Sequence, residues 1–495
     1  MRFGLGPLDG AVSAAFATVT DGRRWLGDQT LTNPGNMRRL RGEQVDLLNR
    51  QPLPLRQRFD ILEMLHPQIA FVQEEISKRY TGKPLPLADA EAGAFNANMR
   101  LWQAVTTGYL RCLDEAITGG ASERTLATLV QCALATLLAE QVDRVRSFAQ
   151  PGPEHWSRLH QLIAYAEDRG IAATQTVDEA RYGAQPVTPL AVYAEILLLH
   201  AINATEFATR PQRIVRWARL WSGKLSLLTA PPEDLQIVPM CVDLDSSLPP
   251  SPFPAKDAQR PRFLDTSTLA GSIKACLMGL ANRKTPLELQ LGDDVSKNAC
   301  EAMLQRLFQC WCKGGMQRPP DRQAATGTVE MAVGVESIWY QLAGTPFKQP
   351  RPSDELLRRE REEIATFGHV SGRAEMQAVD TSKLTVEADW QIVNESRNGM
   401  RLLHAAGKLG QRIGIGHLFA LRRSPTEPFA LASVRWLMMD AEGALHVGVQ
   451  LMPGSATPIS FRIAGVNAKD AWRPAFVLCA APAPEQRVLP AVVFR

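Results

Sequence analysis

The chain has 495 residues, and because domains usually contain roughly 100 to 200 residues, it should form about two to four domains. Hydrophobic residues make up 45% of the sequence and charged residues 21%, a balance that excludes a wholly disordered chain. Lysine and arginine number 55 against 51 aspartate and glutamate residues, so the net charge of +4 gives no support to nucleic-acid binding.

Neither a membrane span nor a secretory signal is predicted. The nearest candidate for a span, residues 191–207, is interrupted by Glu195, His200 and Asn203. The eight cysteines lie scattered, mostly among apolar neighbours, which is typical of reduced thiols in a cytosolic protein. We therefore expect a cytoplasmic protein without a disulfide framework.

Residues 1–230 carry the pattern of a helical bundle. Apolar residues recur three or four positions apart, as on amphipathic helices, and Ser122 and Thr188 are suited to begin helices while Gly170 is suited to end one. No residue pattern recurs at a period of about 34, so a helical-repeat solenoid is the weaker alternative. We expect this all-α region to bind a protein partner. The clearest amphipathic runs are 59–72, 126–142 and 156–166.

Residues 231–314 are predicted to form a proline-rich linker and a small α/β unit. Five prolines between positions 249 and 261 exclude a regular helix or a central strand there. The surrounding sequence predicts one strand and two helices. These elements are the strand at 235–244 and the helices at 269–280 and 295–313.

Beyond residue 314 the pattern changes to short strands, in which β-branched and aromatic residues alternate with polar ones. Several short strands joined by turn residues predict an antiparallel barrel or sandwich over residues 315–460. An insertion at about 343–388, with a charged helical centre at 354–363, separates the first strand from the second. Residues 461–495 are expected to form a C-terminal β extension. The predicted strands are 328–340, 390–394, 400–403, 417–421, 430–437 and 445–451.

Two polar motifs accompany these strands. Asn394, Ser396 and Gly399 lie between two short apolar strands, where an ordinary hairpin turn would also place such residues. Arg318 and Arg322 stand four positions apart on a proline-stiffened segment just before the first strand.

The order of these motifs resembles the PilZ domain, a bacterial six-stranded β-barrel module that binds cyclic di-GMP. The matching order is R-x-x-x-R, a strand, N-x-S-x-x-G, a strand, a V-R-W strand and a G-V strand. The resemblance implies that Arg318 and Arg322 are the family's arginine pair. It also implies that Asn394, Ser396 and Gly399 form the family's second ligand-binding motif. The insertion between the two motifs departs from the family's spacing.

The chemistry of these residues suits that ligand. Cyclic di-GMP presents guanine O6 and N7 acceptors, which match the fork of a guanidinium group, and two phosphates that attract positive charge. Lysine at position 318 or 322 would lose the planar, bidentate contact. Asn394 and Ser396 add short hydrogen-bonding side chains, and Gly399 permits close approach of the backbone.

Other kinds of site are not predicted. The segment 407–416, GKLGQRIGIG, lacks the G-K-[ST] ending of a phosphate loop and is interpreted as a turn. Cys310 and Cys312 have no second ligand pair at zinc spacing, so no metal is expected. HExxH, GxSxG, GGDEF and EAL motifs are absent, which indicates a protein that is not an enzyme and needs no cofactor besides its ligand.

Three further arginines on one helix, with two tryptophans, are interpreted as a solvated basic face over an aromatic core. These residues are Arg213, Arg216, Arg219, Trp217 and Trp221.

The sequence therefore predicts an α+β multidomain receptor. An N-terminal all-α helical bundle and a small α/β unit precede a C-terminal antiparallel PilZ-like β-barrel split by an insertion. Cyclic di-GMP would order the arginine segment and change how the barrel meets the helical region, which relays the signal to an unidentified protein partner. The alternative is a scaffold that binds no nucleotide, with a degenerate barrel and a helical bundle that makes all the protein contacts.

Overall fold

A computed structural model of the protein divides the chain into two compact units, each with its own core. The first unit comprises Met1–Lys83 and Leu87–Arg318, and the second comprises Pro84–Pro86 and Pro319–Arg495. The structure describes residues 3–29, 33–183, 185–202, 211–232, 240–251, 256–314, 323–349, 362, 364–366, 384, 386–407, 409–462, 472–479 and 491–493.

The first unit is a bundle of long helices, which confirms the helical N-terminal region. The apolar runs predicted at 59–72, 126–142 and 156–166 lie on three of these helices, and most of their apolar residues are buried. The helices described in this unit are α1 (Val19–Gly27), α2 (Pro34–Arg50), α3 (Leu55–Ser77), α4 (Asp89–Thr118), α5 (Glu123–Arg146), α6 (Pro153–Asp168), α7 (Glu179–Tyr182), α8 (Pro189–Ala201), α9 (Pro211–Ser222), α10 (Ser267–Ala281) and α11 (Lys297–Cys312).

The predicted helix ends are confirmed. The Ser122 side chain accepts a hydrogen bond from the Thr125 backbone N–H, and Thr188 does the same for Ala191, so both helices begin with a side-chain cap. Gly170 follows α6 with φ of +69°, a conformation that favours glycine.

One described helix, α5, is long and apolar enough to cross a membrane by length and composition alone. In this structure 83% of its most apolar window is buried inside the helical unit. The apolar character of α5 is thus used to form the centre of the bundle.

A small sheet and the helices α10 and α11 complete the first unit, and the two helices and the strand that ends at Asp243 agree with the prediction. The strands Ser226–Leu228 and Pro261–Asp265 were not predicted, and the second of them, which begins at the last of the five prolines, is the central strand of the sheet. The predicted strand 235–244 is described from residue 240 onwards, and its first part lies outside the described residues. The strands of this unit are β1 (Thr176–Val177), β2 (Pro186–Val187), β3 (Ser226–Leu228), β4 (Met240–Asp243) and β5 (Pro261–Asp265). β1 pairs with β2, and the other three form a sheet in the order β3-β5-β4.

The basic face predicted on α9 is paired with carboxylates rather than simply solvated. Arg213 and Arg216 both bond Asp294, at 2.6 and 2.9 Å. Arg219 lies 3.5 Å from the buried carboxylate of Glu195. The arginines of α9 therefore hold the helix in place, over the two buried tryptophans that were predicted to form an aromatic core. These tryptophans are Trp217 and Trp221.

The second unit contains a closed antiparallel barrel of six strands, as predicted. Going round the barrel, the order is β8, β7, β10, β11, β12 and β9, and β9 pairs again with β8. The short strand β6 pairs with β8 as well. These strands are β6 (Gln323–Ala324), β7 (Thr328–Val333), β8 (Glu387–Ser396), β9 (Gly399–His404), β10 (Leu418–Arg422), β11 (Ala430–Met439) and β12 (Leu445–Leu451).

The first predicted barrel strand, 328–340, is wrong in its second half. β7 ends at Val333, and helix α12 (Val335–Ala343) follows it. Gly334 has φ of +82°, which interrupts the strand, and the buried Ile338 faces the barrel core. The isoleucine, tryptophan and tyrosine of this segment favour a strand by propensity, but packing against the barrel stabilises a helix instead.

A three-stranded sheet follows the barrel, and its first strand begins at Ser455, before the predicted start of the C-terminal extension at residue 461. The three-stranded sheet consists of β13 (Ser455–Phe461), β14 (Arg473–Cys479) and β15 (Ala491–Val493). Phe476 from this sheet is fully buried against barrel residues such as Leu418 and Leu431.

The charged centre of the predicted insertion, 354–363, lies almost wholly outside the described residues. The segment 407–416 forms no helix or strand where it is described, which agrees with a turn, and Ile413 within it makes an isolated bridge with Leu85.

We predict that Glu195→Gln changes how the stability of the helical unit depends on pH. Burial raises the pKa of Glu195 to about 7, although Arg219 opposes this shift. Between about pH 4.5 and pH 7 the folded chain therefore binds more protons than the unfolded chain, and the free energy of unfolding falls as the pH rises. This contribution is on the order of 3 kcal/mol.

Thermal unfolding of both proteins from pH 4.5 to pH 8 tests this prediction. The glutamine variant should gain in stability relative to the natural protein as the pH rises to 7, and the difference should then level off. Glu154→Gln, which removes an exposed carboxylate on α6, is the control. The same pH dependence in both variants would contradict the prediction.

Candidate functional site

The N-x-S-x-x-G motif forms the hairpin that joins β8 to β9. Ser396 pairs with Gly399, and the Ser396 Oγ donates a hydrogen bond to the Gly399 carbonyl oxygen at 3.3 Å. Arg397 and Asn398 are exposed at the tip. The Leu451 N–H donates to the Asn398 carbonyl oxygen at 2.9 Å, which holds the hairpin against the end of β12.

Gly399 is required by the close approach of β12. A Cβ atom at this position would lie 2.6 Å from the carbonyl oxygen of Val449, a distance that real Cβ atoms do not show. The backbone there cannot move without disturbing the pairing between β9 and β12. The glycine of the motif thus has a role in the barrel itself.

The short strand β6 brings the start of the barrel to the same hairpin. Gln323 pairs with Glu395, and Ala324 pairs with Asn394. Arg318 and Arg322 lie outside the described residues. Gln323, which directly follows Arg322 in the sequence, is thus placed beside the motif despite the insertion of several tens of residues between them.

Asn394 belongs to a row of residues that crosses five strands. Ala324, Asn394, Arg401, Gly448 and Trp436 are successive cross-strand partners on β6, β8, β9, β12 and β11. Residues that pair directly share one face of a sheet.

This row faces outwards, because the residues flanking it on β9 and β12 point into the barrel. Met400 and Leu402 are buried on β9, and Val447 and Val449 are buried on β12. We call Asn394, Arg401, Gly448 and Trp436 the outer row.

Trp436 lies across the strand β12 because residue 448 has no side chain. A Cβ atom at Gly448 would collide with the indole Nε1 of Trp436. The guanidinium carbon of Arg401 is 5.9 Å from the centre of a Trp436 ring, within the range of a cation–π contact. The outer row therefore places a cation, an aromatic surface and an amide side chain on one face.

A histidine and an aspartate extend this face along β12. Arg401 bonds the Nδ1 atom of His446 at 3.1 Å, and the Nε2 atom of His446 bonds Asp440 at 3.0 Å. Near the hairpin, Arg423 bonds Glu395, and Arg435 donates to Gln450 at 2.6 Å.

The side chains on this face are of kinds that suit ligand binding. Arginine and amide groups bind base edges and phosphates, and an indole offers a surface for stacking. The described residues contain no cluster of histidine, cysteine, aspartate or glutamate suited to a metal ion. Sequence reasoning missed Arg401, Trp436 and His446. The V-R-W strand was noticed, but only the cross-strand register shows that its tryptophan shares a face with the motif.

Comparison with known families identifies two parts of the chain. A model of the N-terminal domain of the cyclic-di-GMP receptor FimW matches residues 20–233, a region for which the sequence alone indicated no family. A model of the middle PilZ domain of the same receptor matches residues 240–390. This chain contains a PilZ domain. The matched range begins with β4, β5, α10 and α11 of the first unit and continues through β6, β7 and the beginning of β8. The N-x-S-x-x-G motif and the strands β9 to β12 follow it.

The similarity extends over most of the chain. The cyclic-di-GMP receptor FimW of Pseudomonas aeruginosa is 23% identical over 511 residues, which cover 92% of this chain and 81% of the relative. The predicted resemblance to the PilZ family is thus confirmed, and the match begins at residue 240, whereas the barrel was predicted from residue 315. The ligand contacts of Arg318, Arg322, Asn394, Ser396 and Gly399 stay a prediction.

We predict that Gly399→Ala destabilises the PilZ barrel by about 1 to 3 kcal/mol, because the added methyl group is forced against the backbone of β12. Thermal unfolding measures the effect. Gly407→Ala is the control, since the nearest atom to its added Cβ lies at 3.8 Å. Equal melting temperatures for the two variants would contradict this account of Gly399.

Proposed function

We propose that this protein is a cytoplasmic, non-enzymatic receptor that binds cyclic di-GMP on the outer face of its PilZ barrel. The single observation that carries the proposal is the alignment of the outer row with the N-x-S-x-x-G hairpin and with β6. The similarity to a receptor named for cyclic di-GMP, over both units, supports the choice of ligand.

The outer row suits a guanine nucleotide in several ways. The guanidinium group of Arg401 can donate to guanine O6 and N7, or to a phosphate, from the edge of the row. The indole of Trp436 offers a π surface on which a base can stack, a contact worth about 1 to 3 kcal/mol per base in other proteins. Asn394 and Ser396 add donors and acceptors at the hairpin end of the same face.

The position of β6 supports the inclusion of the arginine pair. Gln323, which directly follows Arg322 in the sequence, pairs with Glu395 in the hairpin that carries Asn394 and Ser396. We therefore propose that Arg318 and Arg322 bind the ligand together with Asn394, Ser396 and Gly399.

The helical unit is proposed to pass the signal to a protein partner. A ligand that contacts both the arginine segment and the barrel stabilises one arrangement of that segment over the others, which is how binding energy selects a conformation. The segment joins the helical unit to the barrel along the chain. It is therefore one part of the sequence through which a bound ligand can influence the helical unit, besides residues 84–86, which also belong to the second unit.

Calorimetric titration with cyclic di-GMP tests the site. Arg322→Ala and Ser396→Ala should each weaken binding by about 1 to 3 kcal/mol, because each removes hydrogen bonds to the nucleotide. Arg473→Ala, which removes an exposed arginine from β14 on the separate three-stranded sheet, should bind like the natural protein. Thermal unfolding of each variant provides a control for folding.

Two outcomes would contradict the proposal. Unchanged affinity in both site variants would refute the site while leaving the receptor function. No binding by the natural protein, together with no rise in melting temperature at saturating ligand, would instead favour a scaffold with a degenerate barrel, since a ligand bound by the folded state must stabilise it.

A further inference from the structure

The hydrogen bonds around His446 fix which of its ring nitrogens carries the proton. The guanidinium group of Arg401 can only donate, so the Nδ1 atom of His446, 3.1 Å away, must accept. The Nε2 atom then carries the hydrogen of the neutral ring and donates it to the carboxylate of Asp440 at 3.0 Å. His446 is therefore neutral in this arrangement, with its proton on Nε2.

Asp440 is itself held by the turn between β11 and β12. Its Oδ1 atom accepts hydrogen bonds from the backbone N–H groups of Ala444 and Glu442, at 2.7 and 3.2 Å, while Oδ2 accepts from His446. The side chains of His446 and Asp440 are only 12% and 25% exposed. The turn thus fixes the orientation of the Asp440 carboxylate, and the carboxylate orients the imidazole of His446. The imidazole in turn offers its Nδ1 atom as a hydrogen-bond acceptor to Arg401.

We propose that Asp440 and His446 are positioning residues for Arg401, which they hold in the outer row in the orientation that meets cyclic di-GMP. This inference rests on the proposed function, since it assigns a role within the same ligand-binding face. Holding a flexible arginine in its bound orientation lowers the entropy lost when the ligand binds. Asp440 and His446 therefore increase affinity without touching the nucleotide.

The substitution Asp440→Asn tests the inference sharply. The amide oxygen of asparagine can still accept from the backbone of the turn, but its NH2 group donates towards His446 Nε2. The imidazole must then carry its proton on Nδ1, where it no longer accepts from Arg401. We expect about fivefold weaker binding of cyclic di-GMP at pH 7.5, in line with the loss of one hydrogen bond.

The same substitution in an Arg401→Ala background separates positioning from a general structural effect. If Asp440 acts through Arg401, Asp440→Asn should leave the affinity of the Arg401→Ala protein unchanged. Melting temperatures of the variants should stay close to that of the natural protein.

Nitrogen NMR of the ligand-free protein, labelled with ¹⁵N-histidine, tests the hydrogen bonds independently of the nucleotide. We expect His446 in the natural protein to be protonated on Nε2 and the Asp440→Asn variant to be protonated on Nδ1. Additive losses of affinity in the double variant, or protonation on Nδ1 in the natural protein, would overturn the inference. Failure of the natural protein to bind the nucleotide would refute the proposed function and with it the role of Arg401, even if the NMR result stands.

Discussion

The pairing of β8 along both of its edges is the constraint on which the rest of the barrel depends. β8 pairs with β7 and β6 on one edge and with β9 on the other, and the second pairing turns a sheet into a closed barrel. Closure satisfies the backbone groups that an edge strand would leave open. It also fixes the register of the N-x-S-x-x-G hairpin relative to strands that come both before and after it in the chain.

This closure assembles the proposed binding face from residues that are far apart in the sequence. Asn394 and Arg401 belong to one hairpin, whereas Trp436 enters from β11 through the side-chain-free Gly448 on β12. On the same strands, the side chains that face inwards form the core. Because successive side chains of a strand point to opposite faces, one face stabilises the barrel and the other carries the proposed binding site. Gly399 and Ser396 have roles in the hairpin as well, and the motif alone therefore does not distinguish a folded turn from a ligand site. The arginine, tryptophan and histidine beside it support the proposed ligand site.

Much of this architecture could be predicted from the sequence because its signals are local. Helix spacing, the caps at Ser122 and Thr188 and the alternation of the barrel strands all depend on neighbours within a few residues. The segment after Gly334 was predicted as a strand, since its residues favour strands and only contact with the barrel core makes it a helix. The outer row could not be predicted, because a one-residue change of register would turn Trp436 or Arg401 to the other face. The carboxylates that pair with the arginines of α9 are likewise distant in the sequence.

Hydrogen exchange measured by mass spectrometry, with and without saturating cyclic di-GMP, tests the central claim most directly. We expect the ligand to slow exchange in peptides that cover residues 316–326 and 392–402, which contain the arginine segment and the hairpin, while exchange in β13 and β14 stays the same. Slower exchange confined to other parts of the chain, or none anywhere at saturating ligand, would contradict a nucleotide site on this face of the barrel.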